Sequence, residues 1–245
     1  MNFTKPYMQN RNLRQGLLAC LLPLVMFGCA LSPEEEAALL AEQQRLEEEQ
    51  RQAKLQEGRS EEYLRLIAMP NKYKQSAVQV QPPLSVEIKN AMAKVDGGAV
   101  SDGRKALEKI SINHPNLSGI KLKLGDIALK DNNLKLAQVY YQQAISANSY
   151  NYFAHNRLGT VLRKLGKYAE AKEHYLAALD SWPAFAPAHH NLGILLDIYL
   201  GDKAGAINHY QTYQVLTDNK NRKVNGWIAD SSAQLSALQK GNNNG

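Results

Sequence analysis

The chain has 245 residues, enough for one or two domains, and 29 Lys and Arg against 23 Asp and Glu leave a formal charge of +6. Three of the basic residues precede Cys29, so the chain from Cys29 onward carries 26 basic and 23 acidic residues, or +3, and this charge does not indicate nucleic-acid binding. The only cysteines are Cys20 and Cys29, which excludes a disulfide framework and a cysteine-based zinc site in the rest of the chain.

Residues 1–28 have the pattern of an export signal. Basic residues up to Arg14 precede an apolar run of 12 residues, 16–27, which is shorter than the roughly 20 residues of a membrane span. Met26-Phe27-Gly28-Cys29 resembles the lipobox of bacterial lipoproteins. This resemblance implies cleavage before Cys29 and a lipid anchor, with acyl chains such as palmitate, on that cysteine. An ordinary secretory signal or an uncleaved signal anchor stays open as the alternative.

A second cysteine competes for this assignment. Leu17-Leu18-Ala19-Cys20 is formally the better lipobox string, but cleavage there would leave an apolar region of only about four residues after Arg14. We therefore favour Cys29. In the lipoprotein family, Ala30 rather than Asp after the lipidated cysteine implies sorting to the outer membrane of a Gram-negative cell, on its periplasmic face.

Residues 29–68 predict a lipidated cysteine followed by an acidic helical stalk. Residues 34–65 hold 10 acidic and 5 basic residues, and good helix formers continue to about Ile67. Leu39 and Leu46 are seven residues apart, but no sustained heptad follows. Two interpretations stay open: a solvated helix that holds the rest of the chain away from the membrane, and a coiled coil that binds a partner.

Residues 69–83 predict an extended linker. Met69-Pro70 ends the predicted helix, because the residue before a proline disfavours helical geometry. From there to Pro82-Pro83, small, polar and Val residues alternate without an apolar helical stripe.

Beyond residue 83 the chain repeats itself every 34 residues. Leu-Gly pairs recur at 124–125, 158–159 and 192–193. Tyr141 and Tyr175 are also 34 residues apart, and each lies between two alanines that recur at the same spacing. The order of Leu-Gly, Ala, Tyr and Ala resembles the tetratricopeptide repeat, which implies an all-α solenoid of helix-turn-helix units. The units are residues 118–151, 152–185 and 186–220.

Three further segments flank these units, and the last unit contains an insertion. Residues 84–117 fit a degenerate first repeat, although Asn90-Ala91 replaces the Leu-Gly pair. In the last unit Gly201 comes one residue late, which indicates a single insertion at the end of the first helix, within 195–200. Residues 221–240 predict an amphipathic capping helix, because a solenoid's last unit has no neighbour, and residues 241–245 predict a disordered tail. The apolar face of the capping helix comprises Val224, Trp227, Ile228, Leu235 and Leu238.

The resemblance assigns a place to each recurring residue type. The glycines of the Leu-Gly pairs allow the two helices of a repeat to approach closely, and the recurring tyrosines are expected to fill the space between neighbouring repeats. A second set of residues, three glycines and one asparagine, lies at the end of each first helix, in a position that favours positive φ. This set comprises Gly98, Asn132, Gly166 and Gly201.

No pattern typical of catalysis occurs in the sequence: a glycine-rich phosphate loop, a Gly-x-Ser-x-Gly elbow and a His-Glu-x-x-His motif are all missing. His155 and His189 occupy one repeat position that usually holds a buried aromatic ring, which favours packing over metal binding. His189 and His190 point about 100° apart on a helix, so they do not grip one ion together. We predict no catalytic residue, no metal ligand, no cofactor and no small-molecule substrate.

The remaining expectation is a binding groove. The resemblance implies that the first helices line a concave surface through the fifth, ninth and twelfth positions of each repeat, with Lys164 at its edge. A mixed polar and apolar stripe suits an extended peptide, although plain solvated helix faces stay open as the alternative. The candidate residues are Leu122, Asp126, Leu129, Asn156, Thr160, Arg163, Lys164, His190, Ile194 and Asp197. Chaperone-binding members hold a C-terminal carboxylate with Lys and Asn where this chain has Leu122 and Asp126, so that subclass is not expected.

These features predict a non-enzymatic scaffold, anchored by lipid to the outer membrane, that binds another envelope protein and no nucleic acid. The combination of a lipobox with tetratricopeptide repeats is similar to the pilotin lipoproteins of type IV pilus systems. This similarity implies a role in the assembly of a pilus or a secretion machine. Two alternatives stay open: an accessory lipoprotein of a TonB/ExbB-type energy-coupling system, and a regulator of peptidoglycan enzymes.

Overall fold

The computed structural model describes residues 32–56 and 58–242, and all regular structure within them is helical. This confirms the all-α prediction. The α-helices are α1 Pro33–Gln56, α2 Glu61–Ile67, α3 Lys72–Gln75, α4 Pro82–Asp96, α5 Val100–Asn113, α6 Ser118–Lys130, α7 Leu134–Ala147, α8 Tyr152–Lys164, α9 Tyr168–Ser181, α10 Ala186–Ile194, α11 Lys203–Leu216 and α12 Arg222–Asn242, with a π-helix at Leu195–Leu200 after α10. Over the described ranges, each helix is too short or too polar to cross a membrane. The predicted signal and Cys29 lie outside the described residues.

The chain divides into two units at Gly58. In the first unit, α1 begins with a capping box, in which the Ser32 N–H donates to Glu35 Oε2 (2.9 Å) and the Glu35 N–H donates to Ser32 Oγ (3.3 Å). The predicted stalk helix was expected to reach about Ile67, but α1 ends at Gln56 and Gly58 adopts a φ of +78°. Residues 61–67 instead form the separate helix α2, which belongs to the second unit.

The second unit is built from consecutive helical hairpins. The pairs α4–α5, α6–α7 and α8–α9, and α10 with its π-helix against α11, each form one hairpin that packs on the next. Each first helix ends at a residue with positive φ, as predicted, and Gly is favoured there because it lacks a Cβ. These residues are Gly98 (+93°), Asn132 (+59°), Gly166 (+77°) and Gly201 (+69°).

Within three hairpins a tyrosine ring of the second helix lies directly against a glycine of the first. A Cβ on Gly125 would lie 2.4 Å from the Tyr141 ring, and one on Gly159 would lie 2.7 Å from the Tyr175 ring. Both tyrosines are fully buried. The expectation that these rings fill the space between neighbouring repeats is therefore wrong in its detail, because each ring lies over the glycine of its own repeat, where only a hydrogen leaves room for it.

The predicted insertion takes the form of the π-helix. In two repeats a backbone bond that closes the first helix spans five residues, from the Asn133 N–H to the Ala128 carbonyl and from the Lys167 N–H to the Leu162 carbonyl, both at 2.9 Å. In the last repeat the equivalent bond, from the Asp202 N–H to the Leu196 carbonyl, spans six residues at the same length. One wider turn therefore absorbs the extra residue and preserves the hairpin.

Helix α12 occupies the place of the first helix of a further repeat. Its Val224 is fully buried, as are Ala154 and Ala188 at the same position in α8 and α10. Trp227 and Ile228 pack on the main core, as predicted for a capping helix. The predicted apolar face does not extend to Leu238, which is 61% exposed, because no second helix follows to cover the end of α12 among the described residues.

Residues 59–81, which we call the strap, run back across the turns between repeats. Arg59 pairs with Asp218 after α11, Lys72 Nζ lies 2.9 Å from Asp180 Oδ2 at the end of α9, and Asn148 Nδ2 donates to Ser76 Oγ (2.9 Å) after α7. The contacts thus run in the reverse order of the array. The prediction of an extended linker over 69–83 is corrected accordingly: this segment contains the one-turn helix α3, capped by Asn71, and it is packed on the repeats.

Candidate functional site

The first helices of successive repeats meet along one side of the array, and polar or aromatic side chains join them there. Between α6 and α8, Arg157 Nε lies 3.2 Å from Asp126 Oδ1. Between α8 and α10, Asn191 Nδ2 donates to Asn156 Oδ1 (2.9 Å). Each contact therefore joins one predicted groove residue, Asp126 or Asn156, to a side chain of the neighbouring repeat, on a surface we call the first-helix face.

The same surface continues onto the capping helix. The rings of His190 in α10 and Trp227 in α12 lie 5.7 Å apart, so α10 and α12 meet in the same way as the earlier first helices. Tyr213 also contacts His190, with ring centroids 4.8 Å apart. Burial, and then the positive charge of Arg163, lower the pKa of His190, so this imidazole is neutral at pH 7.

The α6 part of the face is committed to internal contacts. Asp126 accepts a hydrogen bond from the Tyr141 hydroxyl (2.8 Å) in addition to its ion pair with Arg157. Burial, and then the Asp126 carboxylate, raise the pKa of Tyr141, which keeps the phenol protonated as the donor. Leu122 and Leu129 pack half-buried against the main core.

The α8 part of the face is organised by hydrogen bonds to neutral groups. Asn156 is only 4% exposed, and its backbone carbonyl accepts a hydrogen bond from the Thr160 hydroxyl (3.0 Å). Thr160 Oγ1 in turn accepts from the Tyr175 hydroxyl (3.3 Å). The Tyr175 ring that packs on Gly159 thus also fixes a polar side chain on the first-helix face, which links the packing of the repeat to its surface chemistry.

Arg163 lies one turn beyond Thr160 in α8. It is half-buried and has no carboxylate partner among the described residues, unlike the ion-paired Arg157 and the exposed Lys164 of the same helix. Its guanidinium carbon lies 5.7 Å above the Tyr199 ring, and its Nε is buried without a hydrogen-bond partner. Burial opposes the charged form, but the hydroxyls of Tyr175 and Tyr199 leave the pKa of Arg163 above its ordinary value. Lys164, the next residue, is exposed to solvent.

Two predicted residues of the last repeat serve the packing. Ile194 lies half-buried against the main core. Asp197 has a side chain only 14% exposed, and its carboxylate binds Lys203 Nζ (2.7 Å), the Tyr210 hydroxyl (3.3 Å) and the Ser231 hydroxyl (3.1 Å). Asp197 therefore ties the π-helix to α11 and α12, and its oxygens are already in use.

The predicted packing role of His155 and His189 is confirmed, since each is 8% exposed, but each also has a partner that the sequence analysis missed. His155 Nδ1 lies 3.0 Å from His174 Nδ1, and His189 Nδ1 lies 3.0 Å from His209 Nδ1. The first member of each pair donates through Nε2 to a backbone carbonyl, of Ser149 or Pro183, so its Nδ1 accepts from the second member. The insertion makes the spacing of His174 and His209 35 rather than 34, so the repeat pattern did not single out these two residues.

These pairs are neutral packing elements. Burial, and then the partner imidazole, lower the pKa of His174 and of His209 to about 4. In the described ranges, no three His, Cys, Asp or Glu side chains are placed to hold a metal ion together. Asn191 and Tyr199 are further surface residues that the repeat pattern did not single out, because they lie at its less regular positions, and Trp227, predicted as part of the apolar face of the capping helix, also reaches this surface.

Comparison with known proteins supports the repeat assignment. The family model of the tetratricopeptide repeat matches residues 122–184 and 156–220. A search of curated protein sequences finds no significant match. Proteins built of such repeats are generally non-catalytic scaffolds that bind other proteins.

Solved structures show the same fold. The structure of pilF from Pseudomonas aeruginosa matches with a TM-score of 0.54 at 20% identity, over 63% of this chain and 69% of that one. A MamA double mutant from RS-1 matches with a TM-score of 0.56 at 16% identity (64% and 88% covered), and a further MamA structure with 0.52 at 18% (64% and 91%). Identities this low establish the fold alone. Residues 122–220 of this chain are tetratricopeptide repeats.

Proposed function

We propose that the chain is a non-enzymatic scaffold that binds an extended segment of another envelope protein on its first-helix face. The observation that carries this proposal is the seam between α8 and α10, where the Asn191 amide donates to Asn156, on the helix that also carries Arg163 with an Nε that lacks a hydrogen-bond partner in the described part of the chain. Asn156 is 4% exposed, so Asn191 is the amide that a partner would meet. A side-chain amide offers the same kinds of acceptor and donor that a peptide backbone presents, which suits a partner bound by its main chain.

The proposal includes a lipid anchor at Cys29 on the periplasmic face of the outer membrane. It rests on the lipobox 26–29 and on Ala30. Growth of cells with radiolabelled palmitate tests it: Cys29→Ser is expected to lose the label and the membrane association, whereas Cys20→Ser keeps both. Label that depends on Cys20 instead would move the cleavage site, and no label in the wild-type chain would refute the anchor.

The pathway proposed is the assembly of a pilus or secretion machine, because a lipobox followed by these repeats resembles pilotin lipoproteins and the fold matches that of pilF. An energy-coupling complex and the cell wall are the competing pathways. The identity of a captured partner separates the three, since a secretin or pilus protein, a proton-channel subunit and a peptidoglycan enzyme are different proteins.

Affinity capture from detergent-solubilised envelopes tests the binding face. The bait is the full chain, because the strap packs on the repeats and a bait that begins at residue 84 would lack it. The variant Asn156→Ala/Arg163→Ala/His190→Ala is compared with a control on the second helices α7 and α9. This control, Val139→Ala/Gln143→Ala/Leu176→Ala, replaces exposed residues. We expect one envelope protein to be retained by the wild type and the control and lost by the first variant. Retention by all three baits, or loss only in the control, would refute the assignment of the face.

A further inference from the structure

The charges of α8 are not balanced within the described part of the chain. This helix carries Arg157, Arg163 and Lys164 and no acidic residue. Arg157 pairs with Asp126, and Lys164 is exposed, so water solvates its charge. Arg163 has neither arrangement: it is half-buried, and among the described residues no carboxylate lies within ion-pair distance of it.

The residues that interact with Arg163 in the described part of the chain are neutral. The Tyr199 ring lies beneath it and the Tyr175 hydroxyl beside it. His190 lies close enough that the charge of Arg163 helps to hold its imidazole neutral. Aromatic faces and hydroxyls only partly compensate a guanidinium that has lost water, and its Nε has no partner at all.

A carboxylate is the group that would complete this site. The guanidinium presents a planar fork of donors that matches the two oxygens of a carboxylate, and such charge-assisted, paired hydrogen bonds are among the strongest in proteins. Tyr199 holds the fork in place beforehand, so little side-chain freedom is lost on binding.

The position of Arg163 on the array favours an internal side chain over a chain end. It lies on α8, the middle of the three first helices that carry the predicted groove, about 9–10 Å along the helix axis from the residues that join α8 to α6 and to α10. An extended segment that crosses α8 at the level of Arg163 would continue over a first helix on either side, whereas a chain that ended there would contact only one of them.

We propose, on the basis of the function proposed above, that the first-helix face binds an extended acidic segment of a partner protein, with one Asp or Glu side chain paired to Arg163. The remaining cations of α8 attract the segment, and Arg163 sets its register. Because Arg157 is paired and Lys164 is exposed, only the loss of Arg163 is expected to remove the preference for an acidic residue at one position.

Selection of peptides by the full chain tests the proposal without knowledge of the natural partner. A displayed library of random 12-residue peptides is selected in parallel on the wild type, Arg163→Gln and Lys164→Gln. The two variants remove the same charge from adjacent residues, and equal melting temperatures would show that both remain folded. We expect peptides from the wild type and Lys164→Gln to share an Asp or Glu at one fixed position, and those from Arg163→Gln to lack it.

The affinity of one selected peptide supplies the quantitative test. Arg163→Gln is expected to weaken binding about 10- to 100-fold, as the loss of a charge-assisted hydrogen-bond pair does, and Lys164→Gln less than about 3-fold. Amidation of the peptide's C-terminus is expected to leave the affinity unchanged, and a Glu→Gln peptide to bind the wild type as weakly as the original peptide binds Arg163→Gln. An effect of amidation in place of the Glu→Gln effect would overturn the side-chain assignment.

The outcomes separate this inference from the proposed function. Peptides that bind the first-helix face without a fixed acidic residue, or with one that survives Arg163→Gln, would overturn the inference and leave the binding face standing. If no selected peptide is sensitive to Asn156→Ala or His190→Ala either, the proposed function fails together with the inference.

Discussion

Replacement of Gly159 by Ala is expected to destabilise the repeat unit, although Ala is the better helix former. A Cβ at this position would lie 2.7 Å and 2.9 Å from two ring carbons of Tyr175, closer than real contacts allow. The ring has no free space, since Tyr175 is fully buried and its hydroxyl is bonded to Thr160. The helix would have to move away from α9 or the ring would have to leave its rotamer.

The magnitude follows from two opposing effects. Overpacking of a well-packed core costs about 1–3 kcal/mol, and Gly→Ala within a helix recovers about 0.8–1.0 kcal/mol. The net loss is expected to be about 0–2 kcal/mol, or a fall of up to roughly 8 °C in Tm for a unit of this size. Gly226 in α12 is the matched control, because nothing lies within 4 Å of the Cβ that would be added there.

Urea and thermal unfolding of the full chain, followed by circular dichroism at 222 nm, measures both variants. Gly226→Ala is expected to raise the free energy of unfolding by up to about 1 kcal/mol, the full helix-propensity gain. Gly159→Ala is expected to lower it. If the two substitutions stabilised the protein equally, the close approach of Gly159 and Tyr175 would not be a constraint on the fold.

Three further predictions concern the turns, the histidine pairs and the strap. Gly166→Ala is expected to cost about 1 kcal/mol in unfolding free energy, because φ is +77° there and an L-residue is strained in that conformation even though open space surrounds it. The pKa of His174 is lowered to about 4, so the unfolded chain binds more protons than the folded chain as the pH falls below about 6.5. Stability is expected to decrease between pH 6.5 and pH 4, and His174→Phe to reduce that decrease in urea titrations, while the pKa of His209, also lowered to about 4, maintains the rest of it. Tyr73→Ala is expected to lower Tm by removing the strap's contact with the Tyr152 ring (5.7 Å) and the Ser118 hydroxyl (3.2 Å), whereas Lys74→Ala, an exposed neighbour, leaves Tm unchanged.

The sequence was sufficient for the features that depend on spacing alone. The 34-residue period located each first-helix turn, including Asn132, since a residue that tolerates positive φ must stand where the helix ends. It also located the insertion near 195–200, because a single extra residue shifts every later motif position by one.

Features that depend on contacts between distant segments were not predictable in this way. The strap has no periodic apolar stripe, since its few contacts, such as that of Tyr73 with Ser118, are spread across several turns of the array. The partners of His155 and His189 lie on second helices, and the insertion displaces His209 by one residue from the position that corresponds to His174. Asp197 occupies a groove position by count, but the wider π-helix turns it towards Lys203 and Ser231.

The most direct test of the account is site-specific photo-crosslinking in living cells. A photoreactive residue placed at Lys164, at the exposed edge of the first-helix face, is compared with one at Leu176 on the outer side of α9, which is 44% exposed. The residue at position 164 is expected to crosslink to one envelope protein, and the residue at position 176 is not. Crosslinks to an envelope protein from position 176 alone would contradict the proposed binding face, because the second helices rather than the first-helix face would then contact the partner.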